Sequence, residues 1–361
     1  MEERDFIISA FAEYYQNAAF DIASIEQREF GIGNIKKIDA RHLNFASIPD
    51  FRRYLLANTP RFVSHSISYY EFPSATPMDR KKWKAADLVF DLDIHAEGKY
   101  GAYEKLLAVK QDASRLLNDF IINDFGLHKS QILTAFSGNR GYHIHIRNEK
   151  FASLGSDERR ELVDYVMGRG LDYLQFFSFG ENKKLLGPSP NEGGYRGRFA
   201  RAAIHTINQE PNSISRKFTD QKSRDSFIAG INDGNWSRTT LDLKELPTRF
   251  KAVAASLPIS SVDTDAGVTQ DLSKLIRVPN TIHGDTGFIA KITSDLDSFE
   301  PFRDALIQTD QEIEIEFMED VPSLPFFGQS SESYKKGSIA KVNRSVGIFF
   351  VLKGSAKVKM K

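Results

Sequence analysis

Near the start of the chain, apolar residues recur at helical spacing: Phe6, Ile7, Phe11, Tyr14 and Tyr15 fall on one side before the chain breaks at Gly31 and Gly33. This pattern predicts an N-terminal helix. From Ala86 the period changes to two, with Leu88, Phe90, Leu92 and Ile94 alternating against Asp87, Val89, Asp91 and Asp93, which predicts a strand. Helical spacing returns over 102–125, where Leu106, Val109, Ala113, Leu116, Leu117, Phe120 and Ile121 share one side and Gly126 acts as a stop. Ile132 to Phe136 reads as a strand by composition, 138–141 as a glycine turn, and Tyr142 to Ile146 as the returning strand of a hairpin.

Beyond residue 155 the pattern is different. Ser156, Asp157 and Glu158 start a helix whose apolar stripe is Leu162, Val163, Val166 and Met167, and segments rich in Gly, Asn and Ser such as 187–197 and 208–215 read as loops. Strand-like alternation resumes after Leu272, and Ile348 to Leu352 forms a last apolar run. The fold class expected is α/β (α+β): a mixed-sheet body made of 1–155 and 256–361, with a mostly helical subdomain, 156–255, inserted into it.

Composition narrows the chemistry. With 361 residues, 41% hydrophobic and 27% charged, the chain has enough apolar material for a sizeable core, which excludes disordered and collagen-like classes. No apolar run reaches the ~18–20 residues needed to cross a bilayer, and the first residues are acidic where a secretory signal would be basic, so an intracellular, cytoplasmic protein with no membrane association is expected. The absence of cysteine removes disulfides, thiolate metal sites and cysteine nucleophiles, leaving Asp, Glu and His as metal ligands. Forty-eight basic residues balance 48 acidic ones, so attraction to a polyanion must come from a local cluster. After Glu332 no acid follows, while Lys335, Lys336, Lys341, Arg344, Lys353, Lys357, Lys359 and Lys361 do; a solvated tail and a binding surface both fit.

Three clusters carry candidate chemistry. Asp91 and Asp93, two apart on a strand, project from one face, and two such carboxylates repel unless a cation lies between them; hard ions such as Mg²⁺ or Mn²⁺ suit them, although an exposed polar strand face would look the same. Ser137-Gly138-Asn139-Arg140-Gly141-Tyr142-His143-Ile144-His145 places a hydroxyl, a guanidinium and an imidazole around a tight turn, which suits a phosphate chain. His143 and His145 share a strand face, and a metal pair there is the weaker alternative to polar or anion contacts. The third cluster, Asp271 followed by Leu275-Ile276-Arg277-Val278-Pro279-Asn280-Thr281-Ile282-His283-Gly284, adds a carboxylate, a cation and an imidazole, and alone it could be an ordinary strand and hairpin.

In this order the three clusters, with Arg28-Glu29-Phe30 upstream, resemble the archaeo-eukaryotic primase superfamily, most closely the catalytic small subunits of archaeal DNA primases. The resemblance spans about residues 10–290. It implies a primase-type catalytic body with an inserted helical subdomain. It further implies that Asp91, Asp93 and Asp271 are catalytic and hold two divalent ions, Mg²⁺ or Mn²⁺, and that Ser137, Arg140, His143, Arg277 and His283 bind the incoming nucleoside triphosphate. The activity implied is template-directed synthesis of short primers by two-metal nucleotidyl transfer, with a primase large subunit and a single-stranded DNA template as partners. The chain departs from the family pattern in three places. It lacks the cysteines of the family's usual zinc knob, so no zinc is expected, and Asn139 and Asp285 stand where basic residues are common. Other readings weighed are a gap-filling repair polymerase of the same superfamily, a metal-dependent phosphohydrolase using Asp91, Asp93 and His95, and a non-catalytic nucleic-acid-binding module.

Overall fold

The computed structural model describes residues 3–94, 96–259, 263–264, 266–329 and 333–359. Contacts divide the chain into two compact units, the first made of 1–114, 128–160 and 261–361, the second of 115–127 and 161–260. Sequence pattern draws the insertion at 156–255; the contacts begin it at 161, end it at 260 and add the C-terminal part of the earlier helical run.

The first unit is built on two antiparallel sheets. One has the order β12-β3-β1-β2, from β1 (Phe30–Gly33), β2 (Ala40–Leu43), β3 (Phe62–Ser66) and β12 (Leu275–Arg277). The other has the order β11-β6-β8-β7-β13, from β6 (Leu88–Asp93), β7 (Ile132–Phe136), β8 (Gly141–Ile146), β11 (Asp263–Thr264) and β13 (Ile292–Thr293). Helices α1 (Glu3–Asn17) and α2 (Ile48–Asn58) bury Phe11, Tyr15, Phe51 and Leu55 with Phe30 and Val63 of the first sheet in one core. A smaller cluster of Ile67, Ala86, Val89, Val268 and Ile276 joins residues of both sheets.

Where β6 begins, two buried arginines converge. Arg28 donates to the backbone oxygens of Ala23, Ser66 and Ile67, to Tyr69 Oη at 2.6 Å and to Asp87 Oδ2 at 2.7 Å. Arg159 donates to Asp87 O at 2.8 Å and Ala86 O at 3.0 Å. The Arg-Glu-Phe segment is therefore scaffold: Glu29 is also buried and pairs with Arg41 at 2.8 Å and Lys81 at 3.6 Å.

The predicted N-terminal helix and the 132–146 hairpin are present, and Ser156 opens the helix Ser156–Val166. Two expectations need correction. The 102–125 run is not one α-helix but three pieces, Gly101–Glu104, Leu106–Arg115 and a π-helical stretch Leu116–Asp124. The last apolar run lies in the helix Arg344–Leu352 beside a small sheet, β15-β14-β16, of β14 (Glu312–Phe317), β15 (Ile339–Asn343) and β16 (Ala356–Val358). The basic C-terminal residues are partly consumed internally, since Lys335 pairs with Asp320, Lys341 with Glu312 and Arg344 with Glu13.

In the second unit, β9 (Ser178–Phe179) and β10 (Leu185–Leu186) form a short hairpin. Helices Gly194–Gln209 and Gln221–Asn232 pack around Phe199, Phe227, Trp236 and Phe250, and Trp236 Nε1 donates to Pro188 O at 2.9 Å. Removing one partner of a buried ion pair strands the other charge, at a cost of about 3–5 kcal/mol. Arg28→Ala and Asp87→Asn should therefore each lower the urea unfolding midpoint of the first unit strongly, while Arg53→Ala, whose Asp50 pair is on the surface, should shift it by less than about 1 kcal/mol.

Candidate active site

The two sheets of the first unit flank a cleft of about 730 Å³. Seven of the eight residues singled out by sequence line it: Asp91, Asp93, Ser137, Arg140, His143, Arg277 and His283. Strand alternation explains the acidic side. Leu88, Phe90 and Leu92 are buried on one face of β6, which leaves Asp91 and Asp93 partly open on the other.

Cross-strand register fixes their neighbours. Asp91 lies opposite His143 and Asp93 opposite Gly141. His143 Nε2 is 3.4 Å from Asp91 Oδ1, and Arg140 Nε donates to both Asp93 oxygens, at 3.0 and 3.1 Å. Gly141 is required here, because a Cβ at that position would sit 2.0 Å from Leu92 O. Ser137 closes the turn, its Oγ accepting the amides of Gly141 at 3.1 Å and Asn139 at 3.4 Å. The turn is pinned to the third cluster by Thr286 Oγ1, which donates to Gly138 O at 2.6 Å.

The basic side comes from β12 and the loop after it. Arg277 is packed over the Phe62 ring at 5.6 Å, and its Nη1 is buried with no hydrogen-bond partner among the described residues. Burial pushes its pKa down to about 10, so it remains a cation at neutral pH. An unpaired buried donor is costly, and a site that retains one is shaped for an acceptor that arrives from outside. His283 is also buried; its Nδ1 accepts the Asp285 amide at 3.1 Å, which leaves the proton of the neutral ring on Nε2 as a donor. Burial first, then the Arg277 charge, holds His283 well below the usual imidazole range, and the same causes bring His143 down to about 3.

Asp271 is not brought to the cleft. It stands on a solvent-exposed turn, where its Oδ1 accepts from the amide and hydroxyl of Ser273 at 2.8 and 2.6 Å. The backbone instead sets Asp263 opposite Asp93, on the strand that borders β6. The sequence held a signal for this, a second Asp-x-Asp at 263–265, eight residues before Asp271. Sequence reading also missed Lys37, Ser64 and Lys274 in the lining. His145 turns inward instead, its ring 6.2 Å from that of buried His65. His95, which the phosphohydrolase reading needs, lies outside the described residues.

The arrangement joins a carboxylate pair to a set of cations and neutral donors across one cleft, which can hold a polyphosphate against a divalent ion. A sequence profile described as DNA primase small subunit matches residues 90–294. The DNA primase small subunit PriS of Methanococcoides burtonii is 31% identical, covering 87% of this chain and 89% of its own length. That of Methanosarcina acetivorans is 31% identical over 98% of this chain and 96% of its own, and that of Archaeoglobus fulgidus is 32% identical over 85% of each. No helix among the described residues is long and apolar enough to cross a membrane.

The buried imidazoles carry a pH signature. His65, His143, His145 and His283 all have folded pKa values lowered by burial, so below pH 6.5 the unfolded chain binds protons that the folded chain does not. Their contribution is present above pH 6.5 and is lost as pH falls toward the folded values, at about 1.4 kcal/mol per group per pH unit. Urea midpoints measured at pH 7.5, 6.5 and 5.5 should fall steeply across the last step, and His65→Gln should reduce that slope.

Proposed function

The chain belongs to the DNA primase small subunit family, and from that premise we propose that it is a catalytic subunit that joins nucleoside triphosphates into short primers on a DNA template. The observation that supports this most directly is the buried, unpartnered Arg277 Nη1 in the same cleft as Asp91 and Asp93. A triphosphate supplies the missing acceptor, and a divalent ion relieves the repulsion that the triphosphate would meet from the carboxylates.

The donor set fits Mg²⁺ or Mn²⁺. Asp91 and Asp93 present hard oxygen atoms to the cleft, and Asp263, whose backbone lies opposite Asp93, is our candidate for a third carboxylate. When bound, two such ions lower the barrier to attack by a primer 3′-hydroxyl and neutralise the leaving pyrophosphate.

The protein's own groups hold and orient. Arg277 and Arg140 supply positive charge to the phosphate chain, Arg140 from beside Asp93, with which it pairs. His283 donates from Nε2, and neutral His143 orients Asp91. Ser137 acts by shaping the turn that carries Arg140, its Oγ accepting the amides of Asn139 and Gly141. The single-stranded template and a primase large subunit complete the proposed assembly.

Asp91→Asn, Asp93→Asn and Asp263→Asn should each abolish templated incorporation in folded protein, whereas Asp271→Asn should retain at least half of it. Equal loss in the Asp271 variant would restore that residue to the metal set, and retained synthesis in both strand variants would remove the metal assignment. Chelation should stop synthesis without lowering the unfolding midpoint, because a carboxylate Mg²⁺ site does not build the fold. Arg277→Ala should weaken nucleotide binding by about 1.5–3 kcal/mol, the worth of a charge-assisted hydrogen bond, with template affinity nearly unchanged in an anisotropy titration.

A further inference from the structure

The loop between β1 and β2 forms part of the cleft wall, yet nothing above gives it a role. It is held rigidly for an exposed loop. The Asp39 carboxylate accepts three successive backbone amides, those of Asn34 at 2.7 Å, Ile35 at 2.8 Å and Lys36 at 3.1 Å, and the Asp39 amide returns to Ile32 O at 2.8 Å. Gly33 lets the loop fold back on itself, since a Cβ there would lie 2.0 Å from Lys36 O and 2.6 Å from Lys37 O. Asn34 Oδ1 accepts the Arg61 amide at 3.3 Å, and Arg61 in turn donates to Gly284 O at 2.5 Å, tying the loop to the segment that carries His283.

This turn brings Lys37 to the mouth of the cleft; both Lys36 and Lys37 are exposed, but only Lys37 lines it. The Lys37 ammonium has no ion pair among the described residues. It is close enough to His283 for its charge to help lower that imidazole's pKa, after burial and Arg277. A compact ammonium with three donors, next to a neutral N–H donor and a guanidinium with a free nitrogen, is a set suited to the several oxygens of a phosphate chain.

We infer that Lys37 is a contact for the triphosphate chain of the incoming nucleotide and that Asp39 is its positioning residue, an inference that rests on the nucleotide-binding reading of the cleft. The triphosphate is favoured over a nucleic-acid backbone because Lys37 shares the cleft lining with buried His283 and Arg277 and its charge reaches His283, and because Lys36 of the same loop does not line the cleft. Asp39 acts through the loop: without its carboxylate the three amides turn to water and Lys37 loses its fixed approach.

Two measurements on the full chain test this: equilibrium binding of a fluorescent nucleoside triphosphate with Mg²⁺, and steady-state incorporation on a primed template. Lys37→Ala should weaken triphosphate binding and raise the nucleotide KM about tenfold, with kcat and template affinity within about twofold. Lys37→Arg should recover most of the loss. Asp39→Ala should raise KM by a smaller factor without altering kcat, and Lys36→Ala, which removes the same charge outside the cleft, should leave both readouts unchanged. An unchanged KM in Lys37→Ala overturns the inference, as does an equal effect of Lys36→Ala, which would mark a general field. Weakened template binding at constant nucleotide affinity overturns it in favour of a strand contact. If wild type binds triphosphate but makes no product, the binding arm still decides Lys37 and only the polymerising reaction is lost; if wild type binds no triphosphate, both readings fall.

Discussion

The site depends on a buried guanidinium that lies outside it. Arg28 sits just before β1, in the sheet that carries Arg277, and its ion pair with Asp87 lies one residue before β6, the strand that carries Asp91 and Asp93. Its five donor contacts are all made, and Tyr69 Oη donates to the second Asp87 oxygen at 2.7 Å, so neither charge is left with an unsatisfied lone pair or proton in a dry interior. Arg159 fixes the carbonyls of Ala86 and Asp87 from the other direction. The start of β6 is thus set relative to the opposing sheet by hydrogen bonds of defined geometry, where apolar packing alone would tolerate slippage. A one-residue slip would turn Asp91 and Asp93 into the core.

What could be read in advance follows from what local pattern encodes. Period-two alternation reports which residues share a strand face, and it identified Asp91 and Asp93; paired glycines around a polar turn report a tight reversal, and it identified 137–143. Those signals are local, and the structure agrees with them. The position of Asp271, outside the cleft lining, could not be read for the opposite reason: which part of a distant segment meets β6 is decided by the β11–β6 register, and Asp263, Asp265 and Asp271 are equivalent in composition. Periodicity also does not separate a buried helix from a buried strand in a short apolar run, so the helical state of 344–352 was not visible. The role of Arg28-Glu29-Phe30 was hidden too, because its partners lie about 40 to 60 residues away.

The electrostatics of the cleft show how a chain with no net charge can serve a polyanion. Histidines are abundant there but hold no charge at neutral pH, since burial keeps His143 and His283 as neutral donors and acceptors. The fixed positive charges not already paired with a carboxylate of the site are Arg277 and Lys37, and they share the cavity with the Asp91–Asp93 pair, of which Asp93 is already paired with Arg140. On the proposed reading, such a cleft accepts a bare polyphosphate or a bare divalent ion less well than the two together, because each neutralises the charge that opposes the other. The unpartnered Arg277 nitrogen adds a second selection. Its burial is a cost carried by the empty fold, and it is relieved only by an acceptor placed deep in the cleft, so binding there stabilises the folded chain by mass action. On the proposed reading, selection of a phosphate chain rests on this one donor, which has no partner among the described residues, and the ion pairs elsewhere in the unit hold the strands that carry the cleft.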